Sequence, residues 1–178
     1  MDYVATYPTN GITYRSNNMN LSDNSDAAYL NVSKSPSFSG AHIFLSEEDP
    51  KPRCNGPILA IAQIINFVVS SADEAELAAL FITTKDMVPL RQNIIEMKWT
   101  QGRSPTQPDN YTAVGFTNIT IVPKRTESMG MRFHFLRYRM VQVEFRFYWA
   151  PGPENLGDYS TKHQLPLYHL AHRPTHAG

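Results

Sequence analysis

Apolar and alternating runs in the first third of the chain predict β-strands. Two such runs cover Ala27–Val32 and Ala41–Leu45. The segment between them, residues 33–40, contains a proline and a glycine, so the two runs have the character of a hairpin with a long turn. A third run, Ile58–Ile65, follows a turn-rich stretch with three prolines at residues 46–57. This part of the chain therefore predicts three strands in succession.

The hydrophobic period changes after residue 70, and the new pattern predicts helices. Ser71 can cap a helix, and Glu74 stands three residues later, which is the capping-box spacing. Residues 72–87 are rich in Ala, Glu and Leu and contain no glycine or proline, a composition that favours a helix. Pro89 is then expected to open a second helix at its first turn. The apolar stripe of that second helix would consist of Leu90, Ile94 and Met97.

The second half of the chain predicts shorter elements of both kinds. Residues 102–108 are interpreted as a connection, after which Asp109 opens a short element. Residues 124–142 carry apolar side chains at helical spacing but also a glycine, so their assignment stays open. Residues 143–149 alternate as in a half-buried strand, and residues 154–162 are typical of a short helix. Strands and helices in this order predict an α/β domain with a mixed sheet.

The charges are balanced overall but unevenly distributed. Sixteen basic and sixteen acidic side chains give a net charge of zero, which argues against a uniformly basic nucleic-acid binder. Residues 1–99 hold 11 acidic and 7 basic side chains, whereas residues 100–178 hold 5 acidic and 9 basic ones. Two interpretations stay open for the basic half, a solvated helix face or a stripe that contacts phosphates. Most of its cations lie in one interval, as Lys124, Arg125, Arg132, Arg137, Arg139 and Arg146.

The sequence favours an intracellular protein. Its single cysteine, Cys54, excludes a disulfide within the chain and suits a reducing compartment. The first residues show no cationic region followed by an apolar stretch, so no secretory signal is expected. The longest mostly apolar run, residues 57–70, is interrupted by polar residues and is too short to span a bilayer. We therefore expect a cytoplasmic location and no membrane partner.

Four carboxylates stand near the predicted ends of strands or helices. A cluster of carboxylates without a His–Cys pair points to a hard divalent cation such as Mg²⁺, which prefers oxygen ligands. Two such ions about 3.5–4 Å apart activate water and stabilise the leaving oxygen of a phosphodiester. The alternative is that these are ordinary solvated acidic groups. The four residues are Asp26, Glu76, Asp109 and Asp158.

Five short motifs follow one another in an order and at spacings that resemble the ribonuclease H domain of copia-type LTR retrotransposon polyproteins. The match extends over nearly the whole chain, although each motif alone is modest. Such domains carry an S-D-A start, an S-S-x-x-E-A-E helix, a D-N segment, a K-R helix and an E-N-x-A/G-D-x-x-T-K close. The corresponding residues are Ser25–Ala27, Ser70–Glu76, Asp109–Asn110, Lys124–Arg132 and Glu154–Lys162.

The resemblance implies a ribonuclease H-like fold, with a five-stranded mixed sheet flanked by helices. It implies that Asp26, Glu76, Asp109 and Asp158 form a tetrad that holds two Mg²⁺ ions, for which Mn²⁺ could substitute. Glu76 is preferred to Glu74 because the family's helical Glu is followed by an apolar residue and Ala. Helical phase agrees, since Glu76 shares a face with Ala79, Leu80 and Thr83.

The resemblance also divides the chain into three parts. Residues 1–21 are a lead-in segment that resembles the connector from the reverse transcriptase. Residues 22–165 form the ribonuclease H-like domain, and residues 166–178 form a flexible tail. The implied partner is the reverse transcriptase domain of the same polyprotein, and virus-like particles are an implied site of action.

The implied activity is hydrolysis of the RNA strand of RNA–DNA hybrids during reverse transcription. Its candidate nucleic-acid contacts are Asn110, Lys124, Arg125, Arg132 and Arg139. The alternative is a catalytically inactive ribonuclease H-like module, structural or nucleic-acid-binding, from a decayed retroelement. Pro108 bears on this choice because proline lacks a backbone donor and fits poorly in a central strand. Separation of Asp109 from the other carboxylates by a bent strand would favour the inactive module.

Overall fold

A five-stranded sheet with a long helix packed against it forms the centre of the chain. The computed structural model describes residues 11–30, 36–110, 114–115, 127–150 and 155–161. The elements in chain order are β1 (Asn20–Ala28), β2 (Phe38–Ser46), β3 (Pro57–Ile64), α1 (Ala72–Glu96), β4 (Ser104–Pro108), α2 (Glu127–Val141), β5 (Phe145–Phe147) and α3 (Asp158–Thr161). Lys124, Arg125 and the predicted tail at residues 166–178 lie outside the described residues.

The sheet is mixed, with strand order β3-β2-β1-β4-β5. β1 pairs antiparallel with β2, and β2 pairs antiparallel with β3. β4 runs parallel to β1, and β5 runs parallel to β4. The predicted α/β class and the five-stranded mixed sheet flanked by helices are therefore confirmed. Among the described residues, no helix is both long and apolar enough to cross a membrane.

β1 lies at the centre of the sheet although most of its side chains are polar. The predicted first strand, Ala27–Val32, was therefore wrong in position, since pairing begins at Asn20. On one face of β1, Ser22 and Asn24 form hydrogen bonds with neighbouring strands where apolar side chains would otherwise pack. The hydroxyls of Ser22 and Ser46 lie 2.7 Å apart, and the Asn24 amide donates to Gln107 Oε1 at 2.7 Å. A hydrophobic pattern cannot detect a strand that is stabilised in this way.

The other face of the sheet carries the hydrophobic core. Leu21 on β1 and Ile43 on β2 are fully buried there, with Leu80 and Met87 of α1 and Leu136 of α2 in the same cluster. Burial of such side chains from water is the main favourable term in folding. The core therefore fixes α1 and α2 on one side of the sheet.

α1 is one continuous helix of 25 residues, which corrects the prediction of two helices divided at Pro89. Ser71 caps it, because its side chain accepts a hydrogen bond from the Glu74 backbone N–H. Pro89 lies inside the helix and removes one backbone hydrogen bond. Met87 and Ile94 are buried before and after the proline, so packing against the sheet outweighs its local cost.

The segment interpreted as a connection, residues 102–108, contains β4, which is also a correction. Its two prolines occupy positions at which pairing with the neighbouring strands requires no backbone N–H. Pairing with β1 begins at Thr106, after Pro105, and pairing with β5 ends at Thr106, before Pro108. Backbone donors and acceptors of a parallel strand alternate between its two neighbours. Pro108 therefore closes β4 without bending it away from β1.

Within the described residues, the remaining elements are shorter than predicted. The open assignment of residues 124–142 is resolved as α2, Glu127–Val141. The strand predicted at residues 143–149 is reduced to β5, Phe145–Phe147. The short helix predicted at residues 154–162 is α3, Asp158–Thr161. Elements of three or four residues leave almost no periodic signal in a sequence.

Candidate active site

Three of the four predicted carboxylates converge where β1 and β4 end. Asp26, Glu76 and Asp109 each offer an oxygen atom, and these oxygens lie within 4.8 Å of one another. The last register pair of the parallel strands, Ser25 with Pro108, places Asp26 and Asp109 level with each other. Asp26 and Glu76 are buried, and Asp109 is half-buried. We call these three residues the carboxylate group; among the described residues no other set of acidic, His or Cys side chains is gathered in this way.

Glu76, rather than Glu74, reaches this group from α1. The Glu74 carboxylate accepts hydrogen bonds from the backbone N–H and the hydroxyl of Ser70, both at 2.7 Å. It is therefore engaged at the helix N-terminus, as expected for an acid at this capping position. Glu76 lies two residues further along and is 9% exposed. The helical phase that was read from the sequence thus identifies which glutamate lies beside Asp26.

Asp158 is not part of the carboxylate group. It is the first residue of α3, a single helical turn that packs beside the end of β1. α3 is attached through other residues. The Asn155 amide donates to the Ser25 carbonyl at 2.8 Å, and the Thr161 hydroxyl donates to Asp26 Oδ2. The structure therefore brings the helix of Asp158 to the site, but not its carboxylate into the group.

Two glycines allow α3 to approach the sheet this closely. A Cβ atom on Gly157 would lie 2.9 Å from the backbone of Ser25 and Asp26. A Cβ atom on Gly40 would lie 2.6 Å from the Thr161 side chain and 2.9 Å from the Gly157 carbonyl oxygen. Real Cβ contacts are not this short, so both positions require glycine for close backbone approach.

Asn110 links the two elements that supply Asp109 and Glu76. Its side-chain amide donates to Asp73 Oδ1 at 2.7 Å. Asp73 lies in the first turn of α1, three residues before Glu76. This hydrogen bond therefore connects the segment that follows β4 with the first turn of α1.

The residues that follow β5 form hydrogen bonds with the residues at the end of β4. The Tyr148 hydroxyl donates to Gln107 Oε1 at 3.3 Å, and the Trp149 indole N–H donates to the Asp109 carbonyl at 3.1 Å. These contacts, with that of Thr161, were not predicted from the sequence. Thr161 and Asn155 belong to the quoted Glu154–Lys162 motif, which could have indicated them.

The predicted basic contacts lie in different places. The Arg132 guanidinium is 3.6 Å from the centre of the Phe67 ring, a cation–π distance. Arg139 forms an ion pair with Glu144 at 2.9 Å. Glu144 directly precedes β5, so this pair lies at the opposite end of the sheet from the carboxylate group. Arg146 donates to the carbonyls of Asp49 and Pro50. The described arginines therefore do not form one stripe at the carboxylate group.

A further acid, Asp23, is buried three residues before Asp26. It is 1% exposed and pairs in register with Thr106, three residues before Asp109. Burial raises the pKa of Asp23 to about 7, and the Thr106 side chain lowers it in part. Adjacent residues of a strand point to opposite faces, so Asp23 faces the core side of the sheet and Asp26 the other side. Asp23 is therefore a buried neighbour of the site and not a member of it.

The strand order and the flanking helices are those of a ribonuclease H-like fold. Comparison with solved structures agrees. A ribonuclease H1 isolated from compost by a metagenomic approach aligns with a TM-score of 0.59 at 15% identity, covering 80% of this chain and 92% of that chain. Its complex with an RNA/DNA hybrid aligns with a TM-score of 0.54 at 14% identity, covering 76% and 88%.

A third structure gives the same result. The N-terminal ribonuclease H domain of a Mycobacterium tuberculosis protein, fused to maltose-binding protein, aligns with a TM-score of 0.55 at 14% identity. The alignment covers 80% of this chain and 91% of that chain. No protein-family model and no curated protein matches the sequence. At these identities the comparisons show that the chain has the ribonuclease H fold.

Proposed function

We propose that this protein is a metal-dependent endonuclease that hydrolyses the RNA strand of RNA–DNA hybrids. The observation that carries the proposal is the convergence of Asp26, Glu76 and Asp109 within 4.8 Å on a ribonuclease H fold. These side chains come from two parallel strands and a helix that are distant in sequence, so their meeting is a property of the fold. The structural neighbour solved with an RNA/DNA hybrid supports the choice of substrate.

The donor set fits a hard divalent cation. It consists of carboxylate oxygens, which Mg²⁺ prefers, and two of the three side chains are buried. We assign Asp26, Glu76 and Asp109 as ligands of two Mg²⁺ ions, with Asp158 as a fourth catalytic and metal-binding carboxylate and Mn²⁺ as a substitute ion. Bound ions of this kind activate water and stabilise the departing 3′-oxygen.

The chain's own residues would position the carboxylates and the substrate. Asn110 holds the β4 exit against α1 through Asp73, and Thr161 holds α3 against Asp26. Phosphates would be contacted without sequence readout by Asn110, Lys124, Arg125, Arg132 and Arg139. Selection of RNA would require contact with the 2′-hydroxyl in the wide minor groove of the hybrid.

We further propose that the domain acts during reverse transcription in a copia-type retrotransposon. The five ordered motifs support this origin. The partner would be the reverse transcriptase domain of the same polyprotein, with residues 1–21 as the connector, 22–165 as the ribonuclease H-like domain and 166–178 as a tail. The site of action would be intracellular, in the cytoplasm and within virus-like particles.

A cleavage assay tests the activity. The purified chain is incubated with end-labelled RNA–DNA hybrid and Mg²⁺, with Asp109→Asn and Asp26→Asn as inactive controls. We expect cleavage of the RNA strand only, lost on addition of EDTA and restored by Mg²⁺ or Mn²⁺. A folded wild-type protein that cleaves no faster than Asp109→Asn contradicts the proposal.

One observation favours a second candidate, a hybrid-binding module without hydrolysis. Asp158 is not among the carboxylates that lie within 4.8 Å of one another, so three rather than four of them are gathered in this structure. The two candidates differ in a single comparison. An inactive module binds the hybrid without cleaving it, and Asp158→Asn leaves its affinity for the hybrid unchanged. The nuclease, in contrast, loses its cleavage activity with this substitution.

A further inference from the structure

β3 is the edge strand beside β2, and among the described residues no strand pairs with its outer side. It has eight residues, whereas strands most often have about five or six. The unpaired backbone groups of an edge are a template for another strand, and proteins usually protect them with charges, proline, a bulge or a covering segment. Pro57 and a register shift opposite Phe44 protect only the beginning of β3. Residues 59–64 therefore form an unprotected edge.

The pairing of β3 with β2 determines which backbone groups point outwards. The Ile65 N–H donates to the Ser37 carbonyl oxygen at 2.8 Å, so the backbone of Ile65 faces β2. This direction alternates from residue to residue in an antiparallel pair. The N–H and C=O groups of Ala60, Ala62 and Ile64 therefore point away from β2. All three residues are exposed, Ile64 to 45%.

The side chains of this edge are uncharged and partly apolar. From Pro57 to Ser70 the chain has no acidic, basic or histidine side chain. Ile58 is 40% exposed and Leu59 is 36% exposed, so apolar surface accompanies the unpaired backbone. A charged partner strand would lose hydration here without gaining an ion pair. The complementary partner is an uncharged strand with apolar side chains, and β3 of a second copy is such a strand.

We propose that β3 pairs antiparallel with β3 of a second copy, about a two-fold axis at Ala62. This symmetry places Ala62 opposite Ala62 and Ala60 opposite Ile64, so all three outward-facing residues form hydrogen-bonded pairs. The axis is normal to the sheet, so each face continues into the same face of the second copy. An axis at Ile61 would instead place Ile64 opposite Ile58, beside the register shift, with fewer hydrogen bonds.

This pairing involves no residue of the carboxylate group. Asp26 lies in register with Gly40 on β2, and Gly40 lies in register with Ala62. Five strand spacings of about 4.8 Å therefore separate the two copies of Asp26, about 24 Å in all. Both carboxylate groups lie on the same face of a sheet with five strands from each copy. An interface one strand wide is at the low end of interface sizes, so we expect weak association.

Sedimentation velocity at protein concentrations from about 5 to about 500 µM tests the association. We expect a monomer–dimer equilibrium that shifts towards the dimer as the concentration rises. Ala62→Lys places two like charges directly opposite each other and is expected to weaken the dimer about tenfold. Ala62→Glu should do the same, and an equimolar mixture of these two folded variants should restore a dimer. Val141→Lys adds the same charge to an exposed residue of α2 and should leave the equilibrium unchanged.

Two results of this experiment overturn the inference. One is a wild type that stays monomeric at every concentration, as expected if another segment or another protein covers β3. The other is a dimer that Ala62→Lys leaves intact, because such a dimer forms through a different surface.

Disulfide cross-linking tests the position of the axis. In a Cys54→Ser background, Ala62→Cys carries the only thiol, and hydrogen-bonded antiparallel partners have Cα atoms about 5.5 Å apart, which a disulfide can bridge. Mild oxidation is expected to link two copies. Ala60→Cys is the matched control, because the two copies of residue 60 are offset by four residues, about 14 Å, and should not link. Cross-linking of Ala60→Cys as fast as that of Ala62→Cys overturns the inference. Neither measurement depends on cleavage of RNA, so its result is separate from that of the proposed function.

Discussion

At the scale of single residues, the carboxylate group places three acidic side chains close together, two of them buried. Asp26 and Glu76 are 0% and 9% exposed, so water screens them poorly. Like charges at this separation oppose each other, and a divalent cation between them removes the opposition. A metal ion bound as proposed would therefore also stabilise the folded chain.

Metal binding is accordingly expected to stabilise the protein. Mg²⁺ at about 100 times its Kd should raise the free energy of unfolding by about 3 kcal/mol, because a ligand of the native state shifts the folding equilibrium. Glu76→Gln is expected to abolish most of this gain, and thermal unfolding with and without Mg²⁺ measures it. Glu74→Gln is the matched control, since Glu74 bonds to Ser70 instead. An equal loss in both variants contradicts the assignment.

The contribution of Asp23 to the stability of the fold decreases as the pH rises, whereas an acid that is stabilised as its anion contributes more at high pH. Its pKa is about 7 when folded and 3.8 when solvated, so the folded state holds a proton between these values that the unfolded state has released. Stability from this group is therefore complete below pH 3.8 and is lost as the pH rises to 7. The full loss corresponds to about 4 kcal/mol.

Asp23→Asn is expected to remove this loss. The variant should be more stable than the wild type at pH 8, by up to about 4 kcal/mol, and the difference should shrink towards pH 4. Urea unfolding at the two pH values measures it, with the exposed Glu96→Gln as a control. A variant that is less stable at pH 8 than at pH 4, relative to the wild type, would show that Asp23 is stabilised as an anion.

At the scale of elements, the position of the one-turn helix α3 depends on glycine. Gly157 and Gly40 allow it to lie directly on β1 and β2, where the Thr161 hydroxyl meets Asp26. A helix of four residues has almost no stability of its own. Its position is thus determined by contacts with the sheet rather than by its own hydrogen bonds.

Gly157→Ala is therefore expected to displace α3. The new methyl group must move the backbone of Ser25 and Asp26, at a cost of about 1–3 kcal/mol, and cleavage activity should fall with it. Gly130→Ala is the matched control, because a Cβ there meets nothing within 4 Å and alanine favours a helix by about 1 kcal/mol. Unfolding and cleavage assays on both variants check the contrast; a fully active Gly157→Ala contradicts it.

The elements also show which parts of the structure can be predicted from sequence. The α1 start and the inward face of Glu76 follow from local spacing, and both were predicted. The single continuous helix was missed because packing of Met87 and Ile94 outweighs Pro89, and such packing has no local signal. β1 was misplaced because most of its buried side chains are polar, and Ser22 and Asn24 bond to partners on other strands that a hydrophobic pattern does not reveal.

At the scale of the whole molecule, the site depends on pairs that are far apart in sequence. Trp149 with Asp109 are 40 residues apart and Thr161 with Asp26 are 135 apart, so no spacing rule connects them. The resemblance to a known domain nevertheless gave Asp26, Glu76 and Asp109, because the motif order follows the fold. It could not give the position of Asp158, which depends on how α3 lies on the sheet.

Net charge is also a whole-molecule property, and it is expected to make hybrid binding weak and dependent on salt. The logarithm of the binding constant should fall with the logarithm of salt concentration by about 0.9 for each phosphate neutralised. Arg132→Gln should reduce this slope by about one, whereas Arg139→Gln should change it less because Glu144 already pairs with Arg139. Anisotropy titrations from 50 to about 200 mM salt measure the slopes. Equal slopes for both variants contradict this difference.

The parallel pairing of β1 with β4 also determines when the protein acquires its site. Residues 23–25 pair with residues 106–108, so about 80 residues must be synthesised and arranged before the two strands meet. Long-range pairing of this kind slows folding, because the loop must close before its contacts form. A chain still emerging from the ribosome holds Asp26 and Glu76 before it holds Asp109. The site is therefore expected to form only after β4 has paired with β1, late in the folding of the chain.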